Sequence, residues 1–171
     1  MLCIGEHIPS LRTPAFRQGA LALFDFSEYR NHWLALCALP GVEPTEAAIL
    51  DHHHDTFYGD GALLLALCPT ALILHTPWIR QTPTLRTLVL TDPLSRLHRL
   101  LNLPREQGQG RCFSVLIDPS GFLRMRLVHP LNGHGMGTLR EALLANQRLP
   151  RPLRRKSDYS KEKGAFVSCS L

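Results

Sequence analysis

Residues 62–67 read Ala-Leu-Leu-Leu-Ala-Leu, an apolar run without polar alternation. A strand of this kind is stable only where both of its faces are covered, as in a sheet with helices above and below it. A second run, residues 33–39, reads Trp-Leu-Ala-Leu-Cys-Ala-Leu and stops at Pro40. Between the two, residues 45–57 have helical character, with Pro44 or Thr45 near the start and Tyr58-Gly59-Asp60-Gly61 at the end. Strand, helix and strand in that order predict an α/β fold with a mixed central sheet and helices on both faces.

The rest of the chain fits that pattern without an internal repeat. Residues 21–24 read as a short strand, and residues 75–81 begin a short helical or irregular segment. Leucines at 94, 97, 100, 101 and 103 follow Asp92-Pro93 at close to helical spacing. Residues 105–110 are polar and Gly-rich, hence a loop. Residues 112–117 and 123–128 flank Asp118-Pro119-Ser120-Gly121, which has the chemistry of a hairpin turn. The last helix is expected over residues 138–147, capped by Thr138 with Glu141 three residues on.

A length of 171 residues, 44% of them hydrophobic, suits one domain, residues 1–147, and a tail, residues 148–171. The longest apolar run is far short of the roughly 18 residues that a membrane span needs. The first eleven residues lack the basic start and apolar stretch of a secretory signal. Five cysteines, at 3, 37, 68, 112 and 169, form no C-x-x-C pair, which suits a reducing compartment and a cytoplasmic protein. Residues 1–147 balance 12 arginines against 12 acidic groups, whereas residues 148–171 hold 7 basic and 2 acidic groups. The net charge of +5 therefore belongs to the tail. Its Arg151, Arg154, Arg155 and Lys156 could contact nucleic acid or an anionic membrane, or simply keep a flexible terminus soluble. The Lys-free, Leu-, Ala- and Arg-rich body is the composition of a GC-rich bacterial genome.

Val42-Glu43-Pro44-Thr45-Glu46 follows the first apolar run and Pro40, and precedes a helix. This layout resembles the active-site turn of the peroxiredoxins of the alkyl hydroperoxide reductase and thiol-specific antioxidant type, P-x-x-x-T-x-x-C continuing as C-P-T-E. Other anchors follow in the family's order. Gly5-Glu6-His7-Ile8-Pro9 resembles its opening G-x-x-x-P. Residues 25–33 resemble the segment before its first central strand. His75 and Trp78 resemble its S-H-x-x-W, and Thr91-Asp92-Pro93 its S-D-P. Residues 111–121 resemble R-x-T-F-I-I-D-P-x-G. The resemblance, spanning roughly residues 4 to 146, implies a thioredoxin-like fold, thiol peroxidase ancestry and a homodimer. The departure is at the nucleophile. With P-T-E in register the cysteine position holds Glu43, and counted ungapped from Pro40 it holds Ala47. The resemblance thus implies a degenerate member with a vestigial turn of Pro40, Glu43, Thr45 and Arg111.

A carboxylate cannot attack a peroxide and pass through a sulfenic acid. Glu43 could pair with Arg111, or serve only as an acidic residue in a first helical turn. The remaining thiols are the other candidates. Cys68, at a strand end beside Pro69, is expected to be the most exposed in the body. Cys37, inside a strand, reads as a small core hydrophobe. Cys112 should face away from its neighbour Arg111. Cys169 could act as a resolving thiol, or be a spectator in the tail. His52-His53-His54-Asp55 spreads its rings about 100° apart on a helix, which makes a solvated face and not a metal site. His129 and His134 are placed in a flexible Gly-rich loop that lacks the pattern of a phosphate loop. No cofactor and no metal are expected. The leading expectation is a binding or regulatory module with an unidentified protein partner. The alternatives are a peroxidase using a displaced cysteine, and a nucleic-acid or membrane binder working through the tail.

Overall fold

The computed structural model describes residues 1–18, 20–39, 44–68, 85–104 and 110–149. In chain order the elements are β1 (Arg12–Arg17), β2 (Ala20–Asp25), β3 (Trp33–Ala38), α1 (Pro44–Gly59), β4 (Ala62–Cys68), β5 (Leu88–Thr91), α2 (Arg96–Leu101), β6 (Arg111–Ile117), β7 (Leu123–Pro130) and α3 (Gly133–Arg148). One seven-stranded sheet runs in the order β2-β1-β5-β4-β3-β6-β7. The two apolar runs are neighbours in it: β3 and β4 pair in parallel, Leu34 beside Leu63 and Cys37 beside Ala66. β3 meets β6 antiparallel on its other side, so the sheet is mixed. Among the described residues no helix is long and apolar enough to cross a membrane.

The continuous apolar strands send alternate side chains into two layers. Ala35, Cys37, Leu64 and Ala66 enter a core with Leu50 and Phe57 of α1 and Met136, Leu139 and Leu143 of α3. Leu34, Leu36, Leu65 and Leu67 enter the opposite core with Leu97 and Leu101 of α2 and with Phe24 and Phe26. This is the two-faced cover that residues 62–67 require. β1 and β5, absent from the sequence reading, extend the sheet, with Ala15 paired to Leu90.

Local chemistry sets the helix ends. Gly61, at φ +76°, turns the chain from α1 into β4 in a region that disfavours other residues. Asp92 starts α2: one carboxylate oxygen accepts from the Arg96 amide at 2.7 Å, the other from the His98 amide at 2.9 Å and from His98 Nδ1 at 2.8 Å. α3 begins five residues before the expected Thr138. Asn132 caps it, its side-chain oxygen accepting from the Gly135 amide at 2.9 Å. The expected flexible loop is therefore replaced. His129 lies in β7 and His134 in the first turn of α3.

Candidate functional site

The first turn of α1 occupies the place of the vestigial turn. Thr45 is exposed there and Glu46 is half-buried. Cys68, at the end of β4, is paired with Thr91 and only 1% exposed. The expectation of an accessible Cys68 is thus corrected: the strand runs through it, and α1 packs on β4. Burial and then the charge of Glu46 push its thiol up to about 12, away from a reactive thiolate. Arg111 opens β6 and is exposed, while its neighbour Cys112 is fully buried, so the two take opposite faces as expected. Pro40, Glu43, Cys169 and the tail residues Arg151, Arg154, Arg155 and Lys156 lie outside the described residues, and with them the Glu43–Arg111 pairing. The acidic groups beside the three histidines serve another purpose. Asp51 accepts from the amides of Arg86 and Thr87 at 2.7 and 3.0 Å, and Asp55 clamps the Arg86 guanidinium at 2.6 and 2.7 Å.

A second constellation forms where β3, β6 and β7 lie side by side. Register sets Cys37 opposite Ser114 and Cys112 opposite His129, all on the face covered by α1 and α3. Cys37 and Cys112 are fully buried, Ser114 is 1% and His129 4% exposed. Ser114 Oγ is the hub, 3.2 Å from Cys37 Sγ, 3.6 Å from Cys112 Sγ and 2.8 Å from His129 Nε2. Cys112 Sγ donates to the Ala38 carbonyl at 3.3 Å. The other ring nitrogen of His129, Nδ1, donates to the Pro130 carbonyl at 2.9 Å. That bond turns Nε2 toward the thiols. Gly135 makes this closeness possible: a Cβ there would stand 1.8 Å from the Pro130 carbonyl oxygen and 2.9 Å from His129 Nδ1.

The two thiols divide the acidity between them. The hydrogen bond with Cys37 lowers Cys112 against the opposing effect of burial, and bonds to His129 and Ser114 add to this. Cys37 is pushed well above the ordinary thiol range by its bond to Cys112 and by burial. Burial works to lower His129, but Cys112 and the Pro130 carbonyl outweigh it, and the imidazole is raised. One thiolate facing an imidazolium is the charged state the cluster favours, and a second thiolate is opposed unless another cation joins it. Burial sets the reactivity. Brief alkylation of the native protein with iodoacetamide, mapped by mass spectrometry, is expected to label exposed Cys3 and to spare Cys37, Cys68 and Cys112 until denaturant is added. Rapid labelling of Cys68 or Cys112 in the native state would contradict this burial.

Comparison with known proteins places the architecture. No family model matches the sequence, and no curated protein matches it. Solved structures do match. Enterococcus faecalis AhpC superposes with a TM-score of 0.69 at 16% identity, over 99% of this chain and 100% of that one. A reduced 2-Cys peroxiredoxin of Plasmodium vivax gives 0.67 at 19% identity, over 84% and 96%. A cysteine-to-serine mutant of Xylella fastidiosa PrxQ gives 0.67 at 18% identity, over 85% and 98%. The fold is that of the peroxiredoxins, a thioredoxin-like mixed sheet with helices on both faces.

Proposed function

We propose that this chain is a degenerate peroxiredoxin that has lost thiol peroxidase chemistry and works as a binding or regulatory module. The observation that carries the reading is the site where the chemistry would occur. The sequence has Glu43 where the resemblance puts the thiol, or Ala47 when counted ungapped, and the retained Thr45 and Glu46 open α1. The strand-end thiol, Cys68, is buried, and that burial, with the charge of Glu46 added, raises its pKa. An attacking thiol must be both ionised and accessible. Cys68 is neither, and Cys112, though lowered, sits behind α3. The protein is read as a cytoplasmic homodimer of bacterial origin, as the resemblance and the composition suggest. Residues 148–171 hold 7 basic and 2 acidic groups, which could take nucleic acid or an anionic membrane.

The test is hydrogen peroxide consumption by the fully reduced protein with a dithiol donor, beside a variant lacking all five cysteines. Equal inertness is expected. Turnover by the parent alone would overturn the reading in favour of a displaced cysteine. Among the described residues the lowered pKa of Cys112 favours this second reading. Chemistry there would require α3 to lift from the sheet, so peroxidase activity would rise in mild denaturant before global unfolding.

A further inference from the structure

The cluster of Cys37, Cys112, Ser114 and His129 has no place in the proposed function. Its donor set, its spacing and the orientation of its imidazole all fit one chemistry. We propose that Cys37, Cys112 and His129, with Ser114 completing the set, bind a thiophilic divalent metal ion of the zinc class. The ligands come from three separate strands, β3, β6 and β7, and meet only in the folded sheet.

Three observations carry it. The two sulfurs and the imidazole nitrogen all lie within 4.8 Å of one another. Ligand atoms around tetrahedral zinc, with bonds of roughly 2.3 Å to sulfur and 2.0 Å to nitrogen, stand about 3.3–3.8 Å apart. Ser114 Oγ stands 3.2, 3.6 and 2.8 Å from the other three, so a small outward shift of the hydroxyl and the imidazole opens the tetrahedron. Second, His129 Nδ1 donates to the Pro130 carbonyl, which leaves the Nε2 lone pair aimed at the cluster. Histidines that ligate metals are held in this way by a carbonyl or carboxylate behind the ring. Third, charge balances. Two thiolates and a divalent ion sum to zero, so a loaded site carries no net charge into a place where bare ions are costly. Two protons leave on binding, that of Cys37 and the one that Cys112 and His129 hold between them. No ligand position faces solvent, which makes the site structural and closed, unlike the open site of a metallohydrolase. Such an ion would cross-link β3, β6 and β7 beneath the first turn of α3.

The full chain, purified under a phosphine reductant, is assayed for bound metal by elemental mass spectrometry, then stripped with chelator and titrated with Co²⁺. One ion per chain is expected, with a near-ultraviolet thiolate-to-cobalt charge-transfer band and intense visible bands of tetrahedral cobalt. Cys112→Ser and His129→Gln are each expected to weaken Co²⁺ binding on the order of 100-fold or more. His52→Gln combined with His54→Gln should leave it unchanged. If the cluster variants fail to fold, the parent still decides the question. Added Zn²⁺ should slow alkylation of Cys37 and Cys112 in partial denaturant, and by more than it slows that of Cys68, which gains only the added stability of the fold. A folded, reduced protein that binds no Co²⁺, or binds it without the sulfur band, overturns the proposal. So does Co²⁺ binding that survives in folded cluster variants, or Zn²⁺ that protects neither cysteine.

Discussion

Replacing Gly135 by alanine is expected to lower the unfolding free energy by about 3 kcal/mol or more in a urea titration. The added methyl would meet a backbone carbonyl oxygen at 1.8 Å, so the contact is relieved only if α3 moves away from the end of β7. That movement would also loosen Met136, which is fully buried in the core one residue further on. Helix propensity argues the other way, because alanine is favoured over glycine in a helix by roughly 1 kcal/mol. Gly137 separates the two effects. It lies in the same helix turn, and a Cβ there meets nothing within 4 Å. Gly137→Ala should therefore be neutral, or stabilise by up to about 1 kcal/mol. If both substitutions stabilise, the close packing of α3 on β7 is wrong. His129 would then lose its seat, because the same approach of Gly135 holds its ring.

The second large effect is expected at Asp92, which is 3% exposed and takes three hydrogen bonds at the start of α2. Asp92→Ala leaves two amides and the His98 ring without their acceptor in a buried position, at a cost of about 3–5 kcal/mol. Asp92→Asn keeps one acceptor oxygen and should cost less. Burial raises the Asp92 carboxyl, but the hydrogen bonds from His98 and Leu97 and the histidine's charge outweigh it, and its pKa lies below the ordinary value. A carboxyl that is more acidic in the folded state stabilises above its unfolded pKa, near 4, and this contribution is lost as pH falls through the folded value. Urea midpoints should thus be flat with respect to this group at neutral pH and fall below about pH 4. Asp25, held at about 2 chiefly by its bonds to Ser27 and Arg12, titrates in the same window. The Asp92 variants should therefore show a shallower acid slope, and an unchanged slope would remove Asp92 from the account.

The centre of the sheet was legible because its signal is strong and local. Residues 62–67 required cover on two faces, and β4 has it. The turn at residues 118–121 announced the β6–β7 hairpin, and Asp92-Pro93 announced α2. The margins were not legible. β5 has four residues, and β1 holds Pro14, a residue that weighs against a strand unless it lies at an edge or between few partners. Cys68 reads as an exposed thiol at a strand end because its neighbour is Pro69, yet the ladder runs through it to Thr91 and it is buried. Residues 133–137 read as loop because glycine is a poor helix former, whereas here Gly135 is demanded by what stands beside it.

The buried cluster is the most instructive miss. Counting back from the turn pairs Ile117 with Leu123 and would set Val128 opposite Cys112. A register shift between Leu116 and Ile117 moves the pairing by one, so His129 takes that place and turns inward. A one-residue slip exchanges the faces of every side chain beyond it. The signal that could have found the site was the alternation of Cys112 and Ser114 on one face of β6, opposite Cys37.

The sheet order also has a consequence in time. β3 lies between β4 and β6, and its antiparallel partner β6 is the last strand but one to be made, Leu34 waiting for Ile117 about 80 residues further on. At ribosomal rates of roughly 5–20 residues per second, that wait lasts about 4–16 s. During it β1 to β5 are made, but not the strand that covers the open edge of β3. Birth of this fold is therefore late and nearly all at once, with long-range pairings that fold slowly and leave apolar strand edges open in the interval. Cells making it would be expected to shelter the nascent chain, and the vulnerable stage is synthesis more than the finished protein.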